Sequence, residues 1–208
     1  MQNNVYLSTA YFPPIQYMSK LLQAKHVFIE AHEHYEKQSY RNRCRISGPN
    51  GIQSLSVPVI SGRSPGQDIC SVRIDYSESW QGVHRRSIET AYAAAPFFDF
   101  YYDDIRQLFT RKPVFLFDLN MKILNTLIRL LDDTKNPALT QNWEKSPKGD
   151  DFRNKIHPKP QKSGNDKEFH PETYMQVFSE RFGFIPNLST LDLLFNEGPV
   201  SRQYLLKV

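Results

Sequence analysis

His84 stands in WQGVHRRSIETAY, residues 80–92, where Trp80, His84, Ile88 and Tyr92 recur at every fourth position. Each step of four residues turns an α-helix by about 40°, so these side chains span an arc of roughly 120°. The imidazole is the one group of the segment able to exchange a proton near neutral pH. Two readings stand open: a core histidine hydrogen-bonded to backbone, and a general acid or base facing a substrate. Arg43 and Arg45, two positions apart in RNRCRI, share one face if the segment is a strand, and two guanidinium forks side by side suit an anion. Asn42 then points to the opposite face or belongs to a bulge. Tyr11 and Tyr92 offer rings and hydroxyls to orient a sugar or stack on a base. Near the C-terminus, Asn187, Ser189, Asp192 and Asn196 lie in NLSTLDLLFN, and the last three share a helix face. Each of the four also has a structural reading: Asn187 and Ser189 as caps, Asp192 as an arginine's partner, Asn196 as a helix end.

Other chemistries find no support in the residues. The chain contains no GxSxG, no Walker loop and no Cys-His pairing, so no nucleophile and no cofactor is expected. Cys44 and Cys70 fall in separate candidate strands without CxxC spacing and read as reduced thiols. His32 and His34, beside Glu30, Glu33 and Glu36, resemble a ligand cluster. No third ligand follows at a known spacing, so no metal is expected.

These residues need a scaffold to bring them together, and periodicity predicts an α/β one. Val5 to Leu7 reads as a strand, residues 8–14 as a loop broken by Pro13-Pro14, residues 15–24 as a helix and residues 26–29 as a buried strand. That order is one βαβ unit, whose carboxyl-edge loops bind ligands. Tyr11 and Phe12 would then line a pocket. Residues 43–47 and 52–59 form a hairpin about Gly48-Pro49-Asn50-Gly51. Residues 71–76 and 174–178 read as further strands. Helices are expected over residues 80–95, 97–110, 114–132 and 188–196, the first ended or kinked by Pro96. Asn120 interrupts the apolar flank of the third, as a satisfied core amide would. Arg63, in the Gly/Ser/Pro-rich residues 61–67, is a solvated loop residue or an anion contact.

The expected fold is therefore a Rossmann-like layered sheet with flanking helices, a short β-hairpin and a polar, partly disordered linker. Residues 1–133 form the main α/β domain, 134–169 the linker, and 170–208 a C-terminal segment packing back on the main domain. The net charge of +4 comes without a long Lys/Arg run, which argues against nucleic acid and suits a small anionic substrate. With no signal peptide and no window of eighteen apolar residues, no membrane span is expected and the expected location is cytoplasmic. No oligomeric state follows.

Four segments in order, TAYFPPIQYMSKL at 9–21, YRNRCRI at 40–46, WxxxHxxSIxxxY with APFF at 80–98, and FIPNLSTLDLLFNEG at 184–198, resemble the WbqC-like family of bacterial proteins. Three departures accompany the likeness. Ser8-Thr9-Ala10 replaces a usual Gln-Pro pair, Cys44 replaces a second asparagine, and the polar linker replaces a strand-and-loop region. The resemblance implies surface-polysaccharide synthesis, such as O-antigen. It also implies a small-molecule substrate on the lines of a nucleotide-linked sugar, and acyl or aminoacyl transfer to an amino sugar. The alternative is a non-catalytic protein that binds a glycan intermediate or a partner enzyme through Phe97, Phe98, Tyr101 and Tyr102.

Overall fold

A computed structural model describes residues 4–60, 66–164 and 166–208. Alternation in NVYLS sends Val5 and Leu7 to one face of strand β1 (Asn4–Ser8), where both are buried. After the proline loop, α1 (Ile15–Gln23) and β2 (His26–Glu30) complete the βαβ unit. β2 lies parallel to β1, with Val27 opposite Val5 and Ile29 opposite Leu7, so the apolar sets fall on the same face. Chain reversal at residues 49–50 makes the hairpin β3 (Arg43–Gly48) and β4 (Gly51–Ser56). Gly51 takes φ 94°, which favours glycine. Short strands β5 (Val59–Ile60) and β6 (Arg73–Ile74) pair antiparallel.

Helices α2 (Trp80–Tyr92), α3 (Phe98–Gln107) and α4 (Leu116–Leu130) follow. The fourfold stripe of α2 is its buried face: Trp80, His84, Ile88 and Tyr92 all point inward. The chain then supplies β7 (Ala138–Leu139) and β8 (Asp150–Asp151), and ends with α5 (Ser179–Phe182), α6 (Thr190–Glu197) and α7 (Ser201–Lys207). The main sheet runs β7-β2-β1-β8, all parallel, giving a mixed α/β fold with helices flanking a four-stranded parallel sheet.

Several expectations need correction. Residues 134–169 do more than link, because both outer strands of the sheet come from them. Their polarity hid this: the anchor is Arg153, buried among carboxylates and stacked on the Trp143 ring, with Phe152 and Ile156 buried nearby. Residues 174–178 form no strand; Tyr174 and Gln176 turn inward to the Asp192 carboxylate instead. The strand expected over 71–76 shrinks to two residues, since Asp68 caps a 3-10 turn at Ile69–Ser71. His32 lies in a bend after β2 and His34 in an isolated antiparallel bridge with Asp68, both exposed. α2 stops at Tyr92, ahead of Pro96. α7, which the sequence did not announce, packs on α1, where Gln23 donates to Leu205 O at 3.0 Å. The groove over Tyr6 and Phe28 is lined by the 138–153 connection. Residues 61–65, with Arg63, lie outside the described residues.

Candidate functional site

Loop 9–14 leaves the carboxyl end of β1, and much of the recognisable sequence exists to hold it. Pro13 and Pro14 have no N–H, so each offers the backbone only its carbonyl acceptor. Pro13 O takes the N–H of Thr190 at 2.9 Å and its hydroxyl at 2.8 Å. Ser189 donates its hydroxyl to Phe12 O at 3.0 Å and its N–H to Arg45 O at 2.8 Å, while its oxygen also caps α6. Asn187, at φ 54°, caps α1 rather than its own helix: its Oδ1 accepts from Gln16 N at 3.0 Å. Tyr11 N–H reaches Tyr40 O at 2.9 Å. Phe12 is fully buried at φ 39°, a left-handed conformation that costs a bulky residue about 1–2 kcal/mol and persists only where surroundings enforce it.

His84 belongs to the same frame. It is 4% exposed, Nδ1 lies 2.8 Å from Tyr11 Oη, and the ring also hydrogen-bonds the Ser56 backbone. Burial pushes its pKa down to about 4, against the Ser56 bond, so the ring is neutral at pH 7. Neither His84 nor Tyr11 lines a described cavity. Tyr92 is fully buried and faces Asp192, whose Oδ2 accepts from Tyr174 at 2.6 Å and Gln176 at 2.8 Å. No cation pairs with Asp192 among the described residues, and burial raises its pKa. Asn196 Nδ2 donates to Asp192 O at 2.7 Å, one turn back in α6. Asn42 closes the open end of the hairpin, donating Nδ2 to Val57 O at 2.9 Å. Burial raises the Cys44 thiol, which stays protonated and offers no nucleophile.

Arg43 and Arg45 behave differently. Both are partly exposed on the face of β3 opposite buried Cys44 and Ile46, as the alternation requires. Ser56 and Ser54 stand directly opposite them on β4. Among the described residues neither arginine has a carboxylate partner, and the remaining residues contain no Asp or Glu. Arg43 Nε is buried without a hydrogen bond, and Arg45 bonds the Tyr40 hydroxyl. A guanidinium pair without carboxylate partners beside two hydroxyls has the donors that an anion would need.

Tyr40 joins that face to the carboxyl edge of the sheet. There the last residues of three parallel strands, Ser8, Glu30 and Asp151, enter one ionic network. Arg41 Nε donates to Glu33 Oε1 at 2.9 Å and Nη2 to Ser8 Oγ at 2.8 Å. Arg153 donates to Glu30 Oε2 at 2.6 Å and to both oxygens of Asp151 at 2.9 and 2.7 Å. Glu30, Glu33, Arg41 and Arg153 are all buried. Burial raises the Glu33 carboxyl, with Arg41 and Ser8 opposing. Asn120 is a buried core amide satisfied on one side only: Nδ2 donates to Arg41 O at 2.7 Å, while Oδ1 has no partner among the described residues. A narrow crevice opens onto this network between Thr9, Ala10, Tyr40, Arg41 and Phe152, and the buried Thr9 hydroxyl lacks a partner. The carboxyl edge of a parallel sheet, where neighbouring connections diverge, is the usual place for a ligand. In the sequence Glu30 and Glu33 stand out only as metal candidates, and nothing marks Arg41 or Arg153. A basic residue two positions past a strand end carries no local sign of its distant acidic partner.

The profile of a family described as WbqC-like protein family matches residues 9–156. The chain is 27% identical over 197 residues to "Uncharacterized protein Rv1507c" of Mycobacterium tuberculosis, covering 82% of this chain and 83% of that protein. No solved structure matches.

Proposed function

The chain belongs to the WbqC-like protein family, and from that premise we propose that it binds an activated sugar through its phosphate and, in bacterial surface-polysaccharide synthesis, transfers an acyl or aminoacyl group from an activated donor to the amine of an amino sugar, the donor's bond to its carrier breaking as the amide forms and the amine proton leaving with the carrier. The observation carrying this reading is the Arg43–Arg45 pair, without carboxylate partners, beside Ser54, Ser56 and Tyr40. In this reading Arg43 and Arg45 clamp phosphate oxygens. Loop 9–14 closes the carboxyl edge, held by Ser189, Thr190 and Asn187. Because His84 bonds the Ser56 backbone, across the hairpin from Arg43, it is a positioning residue. Tyr11, Tyr92, Asp192, Asn196 and Asn42 maintain the frame behind the site.

The burial of His84 and Cys44 favours a second reading, in which the protein binds such a sugar without turnover. The aromatic cluster is a poor docking patch for it, since Phe98 and Tyr101 are buried and Phe98 packs on Phe195 at 5.2 Å between ring centres. Incubation of the purified chain with nucleotide-linked amino sugars and acyl or aminoacyl donors, followed by mass spectrometry, separates the two. A mass increase on the sugar supports transfer. Saturable binding with no product across the donor panel supports the second reading, and the absence of any binding overturns both.

A further inference from the structure

A groove of about 290 Å³ lies over the face of the sheet that carries Tyr6 and Phe28. We propose that it binds a single sugar ring, an amine-bearing one in preference to an anionic one. Its volume lies just under the usual range of ligand sites, roughly 300–1,000 Å³, which suits one ring rather than a whole nucleotide-linked sugar. Tyr6 and Phe28 stack across the strands with ring centres 5.0 Å apart, and give the C–H groups of a pyranose an apolar wall. Over that wall the chain leaving β7 places Gln141 and Asn142, whose side chains make no hydrogen bond among the described residues. Primary amides of this kind donate and accept at once, as hydroxyl recognition requires.

The charges at the groove set its preference. Arg153 is committed: its three nitrogens already donate to Glu30, Asp151 and Glu144 O. Glu144 lines the groove and has no ion partner among the described residues; Glu30 lines it too, with its carboxylate paired to Arg153. Two carboxylates against one arginine leave the lining negative, which repels a phosphate or uronate and attracts an ammonium group. This is the reverse of the Arg43–Arg45 face, and it rests on different residues from the function proposed above.

The test is saturation-transfer NMR and calorimetry on the full chain with glucose, glucosamine, glucuronic acid, adenosine and inorganic phosphate. Glucosamine should bind more tightly than glucose, and glucuronic acid more weakly than either. Asn142→Trp, on an exposed loop, should fill the groove and abolish sugar binding with an unchanged circular dichroism spectrum; Gln141→Ala with Asn142→Ala should weaken it without added bulk. Glu144→Gln should reduce the preference for glucosamine over glucose about two- to five-fold, the range of a solvated ion pair. The Arg43→Ala, Arg45→Ala double variant should leave sugar binding intact. Loss of nucleotide-linked sugar binding in that double variant bears only on the phosphate clamp. The groove assignment is overturned if no sugar gives saturable binding, if adenosine outcompetes the sugars, or if sugar binding survives both groove variants.

Discussion

At the residue scale, what matters is whether a polar group is already satisfied. His84 bonds Tyr11 and the Ser56 backbone, and so holds a frame; Arg43 and Arg45 have no carboxylate partner among the described residues, which is why the proposed clamp rests on them. The buried imidazole has a consequence in pH. Its folded pKa of about 4 lies below the ordinary value near 6.5, so the unfolded chain binds more protons between those values. Its contribution is therefore fully present above pH 6.5 and is lost as pH falls towards 4, with an upper bound of about 3 kcal/mol. Asp192 and Glu33, raised by burial, act with the opposite sign, because they bind more protons when folded. Comparing His84→Gln with the parent isolates the histidine: urea titrations from pH 7 to 4 should show a flatter loss of stability in the variant. Parallel slopes would place the histidine in a solvated setting.

Among the elements, loop 9–14 and the sheet edge depend on partners distant in sequence. Glu30→Gln removes one of the two carboxylates on buried Arg153, which keeps Asp151, and should cost about 1.5–3 kcal/mol, read from the urea midpoint. Replacing both Glu30 and Arg153 with Met should recover much of that loss. Ser189→Ala removes the α6 cap and a bond to Phe12 O, and should cost about 1–2 kcal/mol. The periodic elements were legible: the α2 stripe, the Gly48–Gly51 turn and the βαβ opening all announce themselves by spacing or turn chemistry. The alternation in RNRCRI also placed Arg43 and Arg45 on one face correctly. The roles of Asn187 and Asp192 were not legible. Asn187 caps a helix 171 positions away, and Asp192 is held by a tyrosine and a glutamine in an irregular segment.

For the whole molecule, the parallel sheet is built from both ends of the chain's main body, with two outer strands drawn from its most polar stretch. Apolar periodicity locates strands that bury greasy faces, and it is silent about two-residue strands anchored by a buried arginine. Hydrogen exchange checks this architecture. The amide of Phe152, bonded to Tyr6 O at 2.9 Å, and that of Thr140, bonded to Ile29 O at 3.0 Å, should exchange as slowly as the amides of β1 and β2. Fast exchange at both would detach residues 138–153 from the sheet.

The central claim is that Arg43 and Arg45 form a phosphate clamp for an activated sugar, and thermal denaturation with nucleotide-linked sugars tests it most directly. At a hundredfold excess over Kd, a cognate ligand should raise the parent Tm by about 5–10 °C. The predicted result is that the Arg43→Ala, Arg45→Ala variant folds but loses this rise. An undiminished rise in that variant would contradict the account.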